Sequence, residues 1–486
     1  MYYGRPLTGR EVIYSDVEAV DESNIVEVIR KSNQTHERNA GEIEYLYNYY
    51  KGKQPVLDRV KEIRPEICNR ITENYAYEIV TFKTGYLVGE PIQYVSRDNS
   101  AASSEIELLN RFMLENNKAE RDVEIADWQH ICGTAYRLVQ QKEKTEDEES
   151  PFELITLEPD RTYVVYSSRV GHKPLAGVYK TVPVSGDVEY SVYTPDHFYR
   201  VVNDEIVEST PYPFGIIPII EYPANTARIG AFEVVIDLLD SINEFESNRN
   251  DAVAQFVQSL LVLTNCKLPD SVGANEIRQA GLIQLVSTND SPAKIDNLAD
   301  QLDQAQNQTL KSDMHDAVLS IVGMPSQSSA SQSDSSNNGA VILKNGWQSA
   351  EARAKGSETK FRESETQMLK LVLRICKYLS NVTDLTVSDI NVKFTRRNYE
   401  AIGEKATVFS TLMSTGYIAL VDALAIAGLS YDPEEVAKRG EEWNDENGKT
   451  ESHTQEDGQM NGTTVSRNVN EQENGGDENG TVVITE

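Results

Sequence analysis

An α+β, mostly helical fold is predicted for this chain from three observations. Short segments rich in β-branched and aromatic residues fill much of the first half, and long runs with three- and four-residue apolar spacing fill the second. Between them, PYPFGIIPIIEYPANTARIGAFEVVIDLLDSINEFESNRNDAVAQF carries an apolar strand through a Pro/Asn turn into an amphipathic helix. The 486 residues are too many for one ordinary core and divide into several structural units. The apolar share is only 39 %, yet Tyr, Ile, Val and Leu are plentiful up to about Leu429, so only the end of the chain falls short of a core.

Residues 1–38 read as an N-terminal arm. A first helix is expected from Asn39 to Asn48, where Ile43, Leu46 and Tyr47 fit one face, and Gly52 and Pro55 of YYKGKQP end it. In the next helix Ile71, Tyr75, Ile79 and Phe82 recur at helical spacing, before Gly85, Gly89 and Pro91 lead into a strand at Ile92 to Val95. Helices at about Glu105 to Glu115 and Lys118 to Ile131 precede the strand TAYRLVQQ. The charged run KEKTEDEES has strand-like sequence on both sides and is expected to close a hairpin. An antiparallel meander follows in FELITLE, TYVVYSS, LAGVYKTV, VEYSVYT and FYRVVNDEIVE, separated by turn signals such as Ser185-Gly186-Asp187 and Asn203-Asp204.

After residue 229 the pattern changes to long helices. Ala231 to Phe245 and Asp251 to Leu263 share the stripe Leu238, Leu239, Ile242, Phe245, Phe256 and Leu260, with ESNRND between them as a kink or a solvated stretch. Residues 264–293 read as strand, small helix, strand, and 294–322 as a helix. A Ser/Asn/Gln-rich segment, 323–339, precedes the longest helical pattern, Ala340 to Leu379, in which Gly346 and Gly356 cost about 1 kcal/mol each relative to Ala and favour a bend near Asn345-Gly346. A strand at Asp389 to Asn398 completes 340–398, and helices occupy 399–440. Residues 441–486 are acidic, nearly free of core-forming residues, and read as a disordered tail.

The formal net charge of -31 argues against a surface that grips nucleic acid or an anionic membrane throughout, while leaving local DNA contact open. No stretch approaches the roughly 18 apolar residues of a membrane span, and the start lacks a secretion signal, so a soluble, cytosolic product is expected. Cys68, Cys132, Cys266 and Cys376 are far apart and read as reduced core thiols. Motifs for phosphate, zinc, acyl or dinucleotide chemistry are missing, and the His130/Cys132 pair has no second pair to complete a metal shell. No catalytic residue, metal or cofactor is therefore expected.

Two segments carry functional weight. The loop residues Ser326, Gln327, Ser328, Ser329, Ser331, Gln332, Ser333, Asp334, Ser335, Ser336, Asn337 and Asn338 are polar without positive charge. They form either a surface linker or a loop making weak, exchangeable contacts with moving DNA, with Lys344 as the nearest cation for a phosphate. On the following reading of 294–322, Asp300, Asp303, Asp313 and Asp316 lie away from the stripe Leu298, Leu302, Leu310, Ala317 and Ile321, with Lys311 as the exception. That acidic face is either ordinary solvated surface or the lining of a channel that repels DNA.

The order of these pieces resembles the portal proteins of tailed bacteriophages, in particular the branch of long-tailed phages infecting Gram-positive bacteria. The resemblance runs from about Asn39 to Gly440 and rests on YYKGKQPVL, NRITENYAYEIVTFKTGYLVGEPIQY, ICGTAYRLVQ, the FG-x-x-P-x-x-EY turn into the D-L-L-D-S-x-N helix, and YDPEEVAKR. It implies a ring of about twelve subunits at one capsid vertex, through which double-stranded DNA is packaged and ejected. It further implies an α+β wing at 39–229, stem helices at 230–263 and 294–322, and a clip at 264–293. A tunnel loop at 323–339, a long wing helix and strand at 340–398 and a helical crown at 399–440 complete the set. Lys267, Asp270, Asn275, Arg278, Gln279 and Gln284 of the clip would meet the terminase large subunit and the head-completion adaptor, and the wing would meet major capsid and scaffold proteins. Such a protein belongs to the virion and is assembled in the host bacterial cytoplasm. The alternatives are another non-enzymatic oligomeric head-tail connector scaffold, which the length disfavours, and a metal-dependent nuclease or transferase, for which no acid/Lys or acid/His constellation stands out.

Overall fold

The computed structural model describes residues 8–62, 65–97, 103–142, 149–184, 186–257, 261–264, 294–297, 304–325, 347–379, 385–395, 402–429 and 433–452. They form an α+β fold in two compact units, 1–399 and 400–486. In the first unit, strand β1 (Ile13–Ser15) precedes helix α1 (Ile25–Tyr50), α2 (Tyr75–Val88), β2 (Gln93–Ser96), α3 (Ser103–Glu115) and α4 (Lys118–Cys132). Strands β3 (Thr134–Gln141), β4 (Phe152–Leu157), β5 (Thr162–Ser167), β6 (Pro174–Thr181), β7 (Glu189–Tyr193), β8 (His197–Val202), β9 (Glu205–Pro211) and β10 (Ile219–Pro223) follow. Then come α5 (Ile236–Val257), β11 (Leu261–Thr264), β12 (Lys294–Asn297), α6 (Gln304–Val322), α7 (Trp347–Leu379) and β13 (Ile390–Lys393).

The expected meander exists in β5 to β9, which lie side by side in the order β1-β5-β6-β7-β8-β9, with β1 added parallel to β5. Its expected first strand does not join it. β4 pairs instead with β3, which also pairs with β10, and Gln141 opposite Phe152 makes the charged run close a hairpin as anticipated. β2 and β13 pair across nearly 300 residues of sequence and bring the strand after α7 back to the N-terminal half.

Helix α1 begins at Ile25, well before the expected Asn39. The early turns were obscured because polar residues take inward positions there. Ser32 donates to the Val28 carbonyl at 2.7 Å, the His36 ring meets the Asp160 carbonyl at 2.9 Å, and Asn39 donates to the Glu11 carbonyl at 2.8 Å. The preceding arm is anchored too: the Glu233 carboxylate accepts from the Gly9 amide at 3.0 Å and from Arg10 at 2.6 Å, while Arg10 also pairs with Glu42 at 3.0 Å. All three charged groups are buried. Of the expected core thiols, Cys132 and Cys376 are buried and Cys68 is half-buried; Cys266 lies outside the described residues.

The largest core joins α7 to α3, α4, β2, β3, β4 and β13, through Phe361, Met368, Leu369, Val372 and Ile375 against Leu109, Phe112, Ile125, Val139 and Phe152. A second core joins α1, α2, α5 and α6, with Leu46, Ile79, Leu239, Ile242, Val318 and Val322 among its members. Inside the first core sits a network of charge. Arg137 of β3, fully buried, reaches Asp122 at 2.7 Å and Glu365 at 2.9 Å. Lys118 closes the ring, at 2.6 Å from Asp122 and 3.1 Å from Glu365. Tyr94 and Tyr222 donate to the two Glu365 oxygens at 2.6 and 2.8 Å. Burial alone would raise the Glu365 pKa; the charges of Lys118 and Arg137, helped by the tyrosine hydroxyls, hold it below the ordinary value.

The second unit contains α8 (Ile402–Ser414), α9 (Leu420–Ala427) and α10 (Pro433–Ser452). Its helix α10 continues past residue 440 to Ser452, so the expected tail does not begin at 441; residues 453–486 lie outside the described residues. Glu and Lys propagate a helix without apolar neighbours, which a reading based on core-forming residues misses.

Two outcomes follow. Because Glu365→Ala leaves Lys118 and Arg137 buried with one carboxylate fewer, it is expected to lower unfolding stability by about 3 to 5 kcal/mol, whereas Glu149→Ala, which removes an exposed partner of Arg111, should change it by less than about 1 kcal/mol. Denaturant titration of both variants checks this, and equal losses would contradict it. The second outcome concerns acid. Burial pushes the imidazole pKa down to about 4 at His36 and, with the nearby Lys83 charge, to about 3 at His130. Between pH 6.5 and 4 the unfolded chain therefore binds the extra protons, and stability falls as pH drops, by up to about 1.4 kcal/mol per pH unit for each histidine. The depressed carboxylates Glu221 and Glu365 add their loss only below about pH 4.5. Urea midpoints at pH 7, 6 and 5 should show this slope and lose it in the His36→Gln/His130→Gln double variant; an unchanged slope would exclude the two histidines as its source.

Candidate functional site

The candidate region is the pair α5 and α6 with the chain between and after them. Helix α5 is continuous from Ile236 to Val257 through ESNRND, so neither the kink nor the solvated stretch is present. That polar run has a partner. Asn243, Ser247 and Asp251, four residues apart and hence on one face, accept hydrogen bonds from the backbone amides of Glu73 (2.8 Å), Ile71 (3.0 Å) and Asn69 (2.7 Å). Four helical residues rise about 6.0 Å and two extended residues about 6.6 Å, so every fourth side chain of a helix can meet every second amide of an extended chain. Asp251 also takes Arg59 at 2.7 Å and Lys61 at 2.6 Å. Burial would raise its pKa, but the Lys61, Asn69 and Arg59 hydrogen bonds hold it far below the usual carboxylate range.

Beyond α5 the chain forms β11, which pairs antiparallel with β12, Leu261 opposite Asn297 and Thr264 opposite Lys294. The expected helix from 294 therefore begins as a strand, and α6 starts only at Gln304. Likewise the end of 230–263 is strand rather than helix. Helix α6 packs on α5 through Val318, Leu319 and Val322 against Leu239 and Ile242. The expected stripe was turned: Leu310 and Ile321 are 49 % and 45 % exposed, alongside exposed Asp313 and Asp316. Two interleaved apolar stripes run along this helix, and periodicity alone could not choose between them. Lys311 is not an outward-facing cation. It is half-buried and bridges Glu73 at 2.5 Å and Glu246 at 3.3 Å.

Asp300, Asp303, the six polar residues Lys267, Asp270, Asn275, Arg278, Gln279 and Gln284, the loop residues Ser326 to Asn338, and Lys344 lie outside the described residues. The chain on both sides of 326–346 is described. The amides of Gly323 and Met324 turn back to the Leu319 carbonyl at 2.8 and 2.9 Å, capping α6 with Gly323 at φ +73°. Lys83 of α2 donates to the Val322 carbonyl at 2.8 Å, and Arg353 of α7 to the Ile321 and Ser320 carbonyls at 2.5 and 3.4 Å. On the far side, the Trp347 ring lies 6.1 Å from Phe82 and 5.9 Å from Tyr86, both on α2, and the Tyr86 hydroxyl donates to Glu351 at 2.9 Å. These contacts were not legible in the sequence, since Gly323 and Arg353 belong to no motif and the quoted run that contains Lys83 does not reveal its distant partner.

Among the described residues no group of three or more His, Cys, Asp or Glu side chains could hold a metal ion, and His130 is engaged by Thr84 at 3.1 Å. No described helix is long and apolar enough to cross a membrane. The residues of the FG-x-x-P-x-x-EY turn serve packing: Glu221 pairs with Arg228 at 2.6 Å and accepts from Tyr166 at 2.6 Å, and Tyr222 joins the buried charge network.

Comparison with known proteins bears on what this arrangement is. Residues 29–450 match the family described as phage portal protein, SPP1 Gp6-like. The portal protein of Bacillus phage SPP1 is 23 % identical over 275 residues, 50 % of this chain and 52 % of that relative, so the matched stretch spans about half the relative's length. A solved structure described as the neck of an empty GTA particle computed with C6 symmetry is similar at a TM-score of 0.40 and 12 % identity, covering 72 % of this chain and 89 % of that one; a likeness of this degree carries no weight here. The family match, which extends over most of the chain and over every element of the region just described, makes this protein a member of the SPP1 Gp6-like family of phage portal proteins.

Proposed function

We propose that the chain assembles into a ring of about twelve copies at one vertex of the capsid of a long-tailed phage of Gram-positive bacteria, and that the ring is the conduit for double-stranded DNA during packaging and ejection. The observation that carries this reading is the family match over 29–450. The antiparallel pair β11 and β12, which joins the chain after α5 to the chain before α6, fits a two-helix stem, and the intervening 265–293 are read as its clip. In this reading the clip docks the terminase large subunit and later the head-completion adaptor, and residues 39–229 form the wing facing capsid and scaffold proteins. The loop Ser326 to Asn338 with Lys344 meets passing DNA, independent of its sequence. The unit from residue 400 forms the crown. The protein hydrolyses nothing itself and acts by shape, in the virion, after assembly in the host cytoplasm.

The exposed faces support assembly. In a ring, the Leu310 and Ile321 side of α6 has a neighbour to cover its apolar surface, and Asp313 and Asp316 have a channel in which to repel DNA rather than trap it.

Electron microscopy of the purified full-length protein, with its native mass, is the first test. Rings of about twelve-fold symmetry with a hole wide enough for a duplex are expected, whereas a discrete monomer or dimer without a hole across salt conditions would overturn the reading. In a packaging assay, deleting six residues within 326–339 should leave ring mass unchanged and reduce DNA uptake; normal uptake would remove the loop from DNA handling.

A further inference from the structure

The contacts around the exit and return of 326–346 form a closed triangle. Helix α2 holds the end of α6 through Lys83 and the Val322 carbonyl. Helix α7 holds the same end through Arg353 and the carbonyls of Ser320 and Ile321. Helix α2 holds the start of α7 through Phe82 and Tyr86 against Trp347, and through the Tyr86 hydroxyl on Glu351. Phe82, Lys83 and Tyr86 lie within little more than one helical turn, so a single turn of α2 grips both flanks of the intervening segment.

The chemistry of each edge suits a firm joint. The last carbonyls of α6 have no intrahelical donors and carry the negative end of the helix dipole, and two cations satisfy three of them. Burial and the neighbouring Arg353 push the Lys83 ammonium down to about 8. A group placed there against its own desolvation is held by what it contacts. Gly323 makes room for the arrangement: a Cβ at this position would stand 2.3 Å from Arg353 Cδ, and its φ of +73° disfavours any side chain. A side chain at 323 would have to displace the Arg353 side chain from its place over the helix end.

We propose that this triangle clamps both flanks of 326–346 to one rigid base, with Lys83, Gly323 and Arg353 as positioning residues, so that a displacement of α6 is carried to the start of α7 and to both ends of the segment together. The inference rests on the channel reading for its meaning, because there α6 is the stem and the segment meets DNA. Its test reads only the chain's own amides and needs neither DNA nor a ring, so the two can fail separately.

The test is amide hydrogen exchange on the full-length protein, with native mass and melting temperature measured alongside. Lys83→Met removes the α2 donor from the α6 end, beside Arg353, and leaves the α2 contacts to Trp347 and Glu351 in place. A clamp predicts exchange about tenfold faster at Gly323 and Met324 and also at 351–356, with mass and melting little changed. Trp347→Leu touches only the α7 flank and should loosen Gly323 and Met324 in return, as coupling must be reciprocal. Arg353→Lys, which replaces the planar two-nitrogen fork by a single shorter-reaching ammonium, should fall between wild type and Lys83→Met. Exchange raised only at the flank each variant touches, or at neither, would overturn the clamp and leave a local helix cap. If Lys83→Met fails to fold, the Trp347→Leu arm and Arg353→Lys decide by the same criterion.

Discussion

The buried charges of Lys118, Asp122, Arg137 and Glu365 are the constraint on which the first unit depends. Two cations and two carboxylates lie in the apolar core among α4, β3 and α7, and tyrosines from β2 and β10 complete the coordination of Glu365. None of the four can shift or leave without exposing an uncompensated charge to low dielectric, so the network admits one register for α7 where an apolar face alone would tolerate sliding. Glu365 sits 18 residues beyond Trp347, which at helical rise is about 27 Å. A charge network in the core thereby sets the axial position of Trp347 at the described start of α7.

What could be read from the sequence followed from how each element is buried. α3 and the strands β5, β6 and β8 carry periodicities dominated by apolar residues, and their positions agree with expectation, as does that of α4 although it also buries Lys118, Asp122 and Gln129. The early turns of α1 and the middle of α5 bury Ser32, His36, Asn39, Asn243, Ser247 and Asp251, and there the hydrophobic pattern falls silent although the helix does not. The D-L-L-D-S-x-N run and the EY pair, quoted as family marks, are in the structure polar contacts: Asp240 accepts from Tyr49 at 2.8 Å, Asn243 meets the Glu73 amide, and Glu221 and Tyr222 serve two separate networks. On α6 the failure was different, since two apolar stripes compete and only the packing of α5 decides between them.

The second unit illustrates the opposite limit. Its buried apolar residues are few, Ala423, Leu424, Ala427 and Ala437 among those described, while Tyr417 is 96 % and Trp443 65 % exposed. Three helices with so little interior gain little stability alone. In the proposed ring such a unit is stabilised by its copies, and its order becomes a property of the assembly rather than of the chain.

The anchoring of the N-terminal arm has a consequence for synthesis. Gly9 and Arg10 complete their contacts only with Glu233, and β1 only with β5, so these residues dock on partners made about 150 to 220 residues later. At about 5 to 20 residues per second, roughly 10 to 50 s separate the emergence of Arg10 from that of its partner. During that interval Arg10 has Glu42 but not Glu233 to pair with, and until β5 is made β1 has no strand beside it. The same long-range tie that secures the finished chain is therefore one that the growing chain must do without until Glu233 is made.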